Sequence, residues 1–190
     1  MGAFSKAPLL TEEMKDKVTR KIIHPLLEKL RERKLSYLGV LYVGLMIDRG
    51  EPYVVEFNCR FGDPEIQVVL PQMKTSLLKL IFSVIEGKSF TPVFDATYYL
   101  NVVLASGGYP TEYEKGKEIF GLDQVPSHIQ VLHAGVKERE GRFFTDGGRV
   151  LNVIGSGGNL VEARENVYDF LGKKNLVFDS MHYRKDIGVL

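Results

Sequence analysis

Apolar residues recur along the chain in two rhythms, and the change from one to the other lays out its elements. Val18, Ile22, Leu26, Leu27 and Leu30 fall near helical spacing with Lys and Arg between them. Thr11 followed by Glu12 and Glu13 reads as the cap of that helix, which runs to about Arg33 with a bend at Pro25. The residues before it, Met1 to Leu10, read as a loop. Tyr37 to Ile47 is an almost unbroken apolar run, predicting a strand buried on both faces. Asp48-Arg49-Gly50-Glu51 turns it back into a second strand, so the two pair as an antiparallel hairpin. In that second strand period two sets Val55, Phe57 and Cys59 on one side and Glu56, Asn58 and Arg60 on the other.

Ile66, Val69 and Leu70 then predict a short helix ended by Pro71. Ser76 caps a second, whose buried stripe is Leu77, Leu80, Ile81, Val84 and Ile85 and whose stop is Gly87. Thr91 to Asp95 is a linker, with Pro92 at a subdomain boundary. Beyond it the rhythm is that of strands: Tyr98 to Ala105, Ile129 to Ala134, Val136 to Phe144 with a turn at Glu140-Gly141, and Val150 to Gly155. A helix over Asn159 to Leu171 closes the series, with Leu160, Ala163, Val167 and Leu171 on one face. The fold class is α+β, in two domains, 1–92 and 93–190.

Composition narrows the partners. The chain has 190 residues, 44% of them hydrophobic, so it is globular. Its 25 basic and 24 acidic residues leave a formal charge of +1, which argues against nucleic acid or a membrane surface as partner. The single cysteine, Cys59, excludes an internal disulfide and reads as a packed thiol. With no cationic leader and no membrane-length apolar run, the expectation is a soluble cytoplasmic protein.

The polar face of the hairpin carries the candidate chemistry. Glu56 and Asn58 form a hard-oxygen pair suited to Mg²⁺, which keeps its waters and takes other ligands from substrate phosphates. Arg60 on the same side is placed to stabilise a transferring phosphoryl group. The structural alternative is that Glu56 and Arg60 neutralise one another while Asn58 starts a turn. Gly62 then permits a bend, Asp63 a helix cap, Pro64 the first helical position, and Glu65 suits the positive helix end. His133 and His182 read as structural, His133 in a buried strand.

Arg60-Phe61-Gly62-Asp63-Pro64-Glu65-Ile66-Gln67 resembles the signature of the phosphoribosylamine-glycine ligase (glycinamide ribonucleotide synthetase) family, and Glu56-Phe57-Asn58 resembles the metal-binding strand of the wider ATP-grasp superfamily. The likeness continues through Met1-Gly2-Ala3-Phe4-Ser5, Ser106-Gly107-Gly108-Tyr109-Pro110, His133-Ala134-Gly135, Gly147-Gly148-Arg149-Val150-Leu151 and Tyr183-Arg184-Lys185-Asp186-Ile187-Gly188. Members of the family begin the first of these motifs with residues ahead of the methionine. The resemblance therefore implies the C-terminal part of a longer ligase: the end of an ATP-grasp lobe, then a small α+β domain.

Its implied reaction is ATP-dependent ligation of glycine to 5-phosphoribosylamine through glycyl phosphate, with Mg²⁺ or Mn²⁺ as cofactor and the missing N-terminal part as partner. Glu56 and Asn58 become metal ligands and Arg60 the catalytic cation. Asp63 has two readings, helix cap or holder of glycine's ammonium group. Arg149 and the Arg184-Lys185 pair are candidates for the phosphoribosyl dianion. One departure stands out: many ATP-grasp enzymes carry a carboxylate opposite the metal-binding glutamate, where this chain has Gly44. Two other readings remain beside the ligase: another ATP-grasp carboxylate-amine ligase, and a non-catalytic metal-phosphate-binding or docking module.

Overall fold

The computed structural model describes residues 1–189. In chain order its elements are strand β1 (Gly2–Phe4), helices α1 (Glu12–Val18) and α2 (His24–Glu32), strands β2 (Tyr42–Asp48) and β3 (Glu51–Asn58), and helices α3 (Ile66–Val69) and α4 (Leu77–Ile85). Strands β4 (Tyr98–Ala105), β5 (Glu118–Ile119), β6 (Ile129–His133), β7 (Val136–Arg139), β8 (Arg142–Thr145) and β9 (Arg149–Gly157) follow, then helix α5 (Leu160–Gly172). Helices and antiparallel sheets are mixed, the α+β class expected. The chain forms two compact units: Met1–Ser5, Asp63–Met73 and the chain from Phe94 onward make one, and Lys6–Gly62 with Lys74–Val93 make the other. A single cut after residue 92 therefore does not describe the structure, because two early segments contribute to the later unit.

In the helix and hairpin unit, Thr11 caps α1 as expected, its hydroxyl accepting the Met14 N–H at 3.2 Å. The bend before Pro25 is a π-type turn over Thr19–Ile23, in which the His24 N–H reaches back to the Thr19 carbonyl. Proline has no N–H and its ring crowds the carbonyl four residues earlier, so widening the turn relieves both. Strands β2 and β3 pair antiparallel, with Arg49 and Gly50 both at positive φ in the two-residue turn, a geometry that matches strand twist. Gly44 lies opposite Glu56 and the next pair is Leu45 opposite Val54, so Val55 is an extra, bulged residue.

Burial in this unit differs from the expectation. Val55 is 66% exposed and Phe57 44%, Cys59 is exposed rather than packed, β2 is only half-buried, and in α4 Ile81 and Ile85 face solvent. The patterns did assign shared faces: the α4 stripe and Leu38, Val40 and Phe61 line one apolar groove of about 410 Å³. Gly87, at φ 66°, ends α4.

The other unit is built on a four-stranded antiparallel sheet in the order β1-β4-β9-β6. Its opening strand is a departure, since Gly2–Phe4 is paired edge strand rather than loop. A Cβ on Gly2 would stand 2.4 Å from the Asn101 carbonyl oxygen, so only glycine permits this approach. Leu100, Val102 and Leu104 of β4 pair across to Gly155, Val153 and Leu151 of β9. With Ala163, Val167, Phe170 and Leu171 of α5 these residues form the core, each large side chain contributing about 1.5–3 kcal/mol. Asn159 caps α5 by accepting the Glu162 N–H at 2.9 Å, while Glu162 accepts the Gly158 N–H at 2.7 Å. Strands β5, β8 and β7 make a second, three-stranded sheet. His133, at the exposed end of β6, is not buried as expected but meets the Phe143 ring edge at 5.1 Å.

Helix α1 is tied to the hairpin turn by charge. Lys17 donates to the Gly50 carbonyl at 2.6 Å and to Glu51 at 3.1 Å, and its neighbour Lys21 meets the same carboxylate at 2.7 Å. Hydrogen bonds from Lys21 and Lys17 hold the Glu51 carboxyl below the usual carboxylate range. A depressed folded pKa means stability that is present above the unfolded value and lost as pH falls through the folded one. Acid titration is therefore expected to lower the unfolding midpoint of this unit in that window, and Glu51→Gln to flatten the dependence, as read by circular dichroism.

Candidate functional site

The hairpin places its acid and amide together. Asn58 Nδ2 donates to Glu56 Oε1 at 2.8 Å, so residues two apart share a face as period two requires. Glu56 is exposed, and the strand opposite gives it room: a Cβ on Gly44 would lie 2.9 Å from Glu56 Cγ. The glycine that departs from the superfamily pattern is thus the residue that lets this carboxylate lie across the neighbouring strand. Arg60 is not paired with Glu56. Its guanidinium donates to the Phe61 carbonyl at 2.8 Å, so the neutralising pair is absent among the described residues.

As a donor set for Mg²⁺ or Mn²⁺ the pair offers one carboxylate and one amide oxygen, the latter facing a cation after rotation of the Asn58 amide. No cluster of three or more His, Cys, Asp or Glu suited to a metal occurs among the described residues. That composition fits a hard cation whose remaining ligands are water and substrate phosphate, and does not fit a closed protein cage.

Asp63, in the sheet unit, does not cap a helix. The peptide to Pro64 is cis, and α3 begins at Ile66 with Glu65 at its boundary and no side-chain cap. Pro64 therefore does not occupy the first helical position. Instead Asp63 Oδ1 accepts from Gln67 Nε2 at 3.1 Å, and Oδ2 meets Arg149 Nη2 at 2.8 Å. Two residues expected to face substrate are thus paired with one another.

Beneath this loop lies a polar pair that the sequence pattern did not single out. Asn101, fully buried in β4, donates to Asn152 Oδ1 at 2.9 Å and to the Pro64 carbonyl at 3.2 Å. A buried amide must find partners, and here it fastens the segment carrying Asp63 to the middle of the sheet. The available signal is that each asparagine interrupts an otherwise apolar strand, Tyr-Tyr-Leu-Asn-Val-Val-Leu and Val-Leu-Asn-Val-Ile.

Arg184 and Lys185 follow the main core, held by α5. Tyr168 donates its hydroxyl proton to the Arg184 carbonyl at 2.9 Å and accepts the Ile187 N–H at 3.1 Å, and Arg164 donates to the Lys185 carbonyl at 3.0 Å. Arg184 Nε bonds Asp186 at 2.8 Å and its Nη2 meets the other carboxylate oxygen. The guanidinium holds the Asp186 carboxyl below its usual range. Arg184 also lines a cavity of about 460 Å³ with Val103, Tyr109, His182 and Tyr183. The Lys185 side chain is exposed.

Comparison with known proteins gives a consistent result. The ATP-grasp (A) domain of phosphoribosylglycinamide synthetase matches residues 1–66 and the C domain of the same synthetase matches residues 99–190. Phosphoribosylamine–glycine ligase of Halalkalibacterium halodurans is 43% identical over 188 residues, covering 99% of this chain and 44% of that protein. The Synechocystis ligase is 42% identical over 193 residues, covering 99% and 46%. The crystal structure of the Thermotoga maritima ligase superposes with a TM-score of 0.83 at 33% identity, covering 98% of this chain and 46% of that one. The biotin carboxylase domain of a thermophilic 2-oxoglutarate carboxylase, at TM-score 0.64 and 15% identity, shares the fold. The chain therefore spans under half the length of these ligases.

The asparagine pair gives a direct stability test. Asn101→Leu leaves the Asn152 and Pro64 acceptors buried without their donor and is expected to cost about 1–3 kcal/mol in urea unfolding. The double change Asn101→Leu with Asn152→Leu, which removes both side-chain partners, is expected to cost less than the sum of the single changes.

Proposed function

Because the chain belongs to the phosphoribosylglycinamide synthetase family, we propose that it carries the later part of a ligase joining glycine to 5-phosphoribosylamine at the expense of ATP in purine biosynthesis. The observation that supports a working site most directly is the Glu56–Asn58 pair, 2.8 Å apart over a glycine that leaves it accessible. Glu56 and Asn58 would hold Mg²⁺ or Mn²⁺, and the cation would supply charge neutralisation for the triphosphate and Lewis-acid polarisation of the transferring phosphoryl group. Arg60, two residues beyond the end of β3 and exposed, meets the charge that develops on the transferring phosphoryl oxygens.

Glycine's carboxylate oxygen bonds to the γ-phosphorus as the bond to ADP breaks. The amine of 5-phosphoribosylamine then attacks the resulting glycyl phosphate, losing a proton and expelling phosphate to leave glycinamide ribonucleotide. Asp63 receives glycine's ammonium group, for its carboxylate is exposed and retains free acceptor positions beyond its two bonds. Arg184 and Lys185 bind the phosphoribosyl dianion, with Arg184 already presented to a cavity. No described helix is long and apolar enough to cross a membrane, and we place the reaction in the cytoplasm.

Ligation is expected only when this chain is combined with the remaining length of the ligase. Assays on the chain alone and on the combined protein test that directly; turnover by the chain alone would overturn it. In the combined protein Glu56→Ala should abolish ATP cleavage and weaken metal-nucleotide binding measured by calorimetry, and wild-type turnover would remove the metal assignment. Arg184→Ala should raise KM for 5-phosphoribosylamine about tenfold, equivalent to about 1.4 kcal/mol, while leaving KM for ATP unchanged.

A further inference from the structure

Arg149 opens β9 after two glycines and is a natural candidate for a phosphate ligand, but its surroundings assign it another role. Nη2 lies 2.8 Å from Asp63 Oδ2 while Nη1 donates to the Asp63 carbonyl at 3.0 Å, with Met1 Sδ at 3.8 Å from the same nitrogen. The fork grips side chain and backbone of one residue together. Asp63 is its ion-pair partner among the described residues.

The aim of this guanidinium is built into the strand. Leu104 pairs with Leu151 but Ala105 pairs with Arg149, so Val150 is a bulged residue, and a bulge redirects the side chains beside it. The turn before it is clamped: Ser106 N–H donates to the Gly148 carbonyl and Ser106 Oγ to the Gly147 carbonyl, both at 2.8 Å. Added Cβ atoms show how closely it is enclosed. One on Gly148 would stand 2.2 Å from the Tyr109 ring, and one on Gly135 would stand 2.6 Å from the Gly147 Cα. On the other side, Gln67 takes Asp63 Oδ1 and Asn101 holds the Pro64 carbonyl. The carboxylate is thereby fixed from its side chain, its own carbonyl and its neighbour's carbonyl, yet remains 43% exposed.

We propose that Arg149 is a positioning residue that acts through Asp63, holding this carboxylate in the orientation that receives glycine's ammonium group, and does not bind the phosphoribosyl phosphate. The inference rests on the ligase reading above. The basic residues of the sheet unit then divide between two substrates, with Arg149 serving the amino acid and Arg184 with Lys185 serving the phosphate.

The test uses Arg149→Gln and Asp63→Asn, singly and together. In the combined ligase each single change is expected to raise KM for glycine about tenfold with KM for 5-phosphoribosylamine within about twofold, and the double variant to be no worse than the poorer single one. Arg149→Lys, which keeps the charge without the fork, should fall between wild type and Arg149→Gln. A rise confined to 5-phosphoribosylamine, or effects that multiply in the double variant, would overturn the proposal while leaving the ligase reading intact. Absence of glycine-dependent ATP cleavage in the unmutated combined protein would overturn both. In the 190-residue chain, urea midpoints of wild type, the two single variants and the double variant report the fork without catalysis: coupled shifts support it, and strictly additive shifts overturn it.

Discussion

Strand β4 turns neither face to water over most of its length, and its unit is arranged around that double enclosure. On one side Leu100, Val102 and Leu104 meet α5 through the core. The other side carries Asn101 and Val103, buried with Val68 of the short helix that follows the Asp63 loop. A segment from the first half of the chain is thus recruited to close a sheet made largely from the second half. An amide in such a place needs partners, and Asn101 takes one of them from the segment that covers it.

Two irregularities of pairing carry the candidate chemistry. The bulge at Val55 brings Gly44 opposite Glu56, and the bulge at Val150 sets the start of β9 where Arg149 reaches Asp63. In both cases a regular ladder would send the side chain in question to the other face. Glycine accompanies each: Gly44 yields space to Glu56, and Gly148 yields space to Tyr109. The departures from ideal sheet geometry lie where charged side chains are presented, as is common for bulges near functional positions.

The hairpin, β4 and α5 were legible because alternation, helical spacing and turn residues agree locally. Gly44, by contrast, was set opposite Glu56 by the superfamily resemblance, since regular counting from the turn would put Val43 there and only the bulge at Val55 brings in Gly44. Burial was less so. The stripes of α4 and β3 told which residues share a side, but Ile81, Val55 and Phe57 remain exposed, since periodicity does not say what covers a face. Strand β1 has three residues and only its pairing with β4 makes it a strand. Of the two readings that Asp63 carried, the helix cap fails for a different reason. A capping carboxylate and an ion-pair acceptor use the same oxygens, and the deciding partner, Arg149, stands 86 positions away.

The contact between α1 and the hairpin turn sets two ammonium groups against the single carboxylate of Glu51. Electroneutrality is not met within that cluster, so counterions belong to its equilibrium. At physiological ionic strength the screening length is about 8 Å and it shortens as salt is added. Concentrated electrolyte therefore loosens the helix from the hairpin tip, while the hydrocarbon interior between β4, β9 and α5 is indifferent to it or strengthened by salting out. The same solvent change therefore acts in opposite directions on an exposed ion-pair contact and on a packed apolar core.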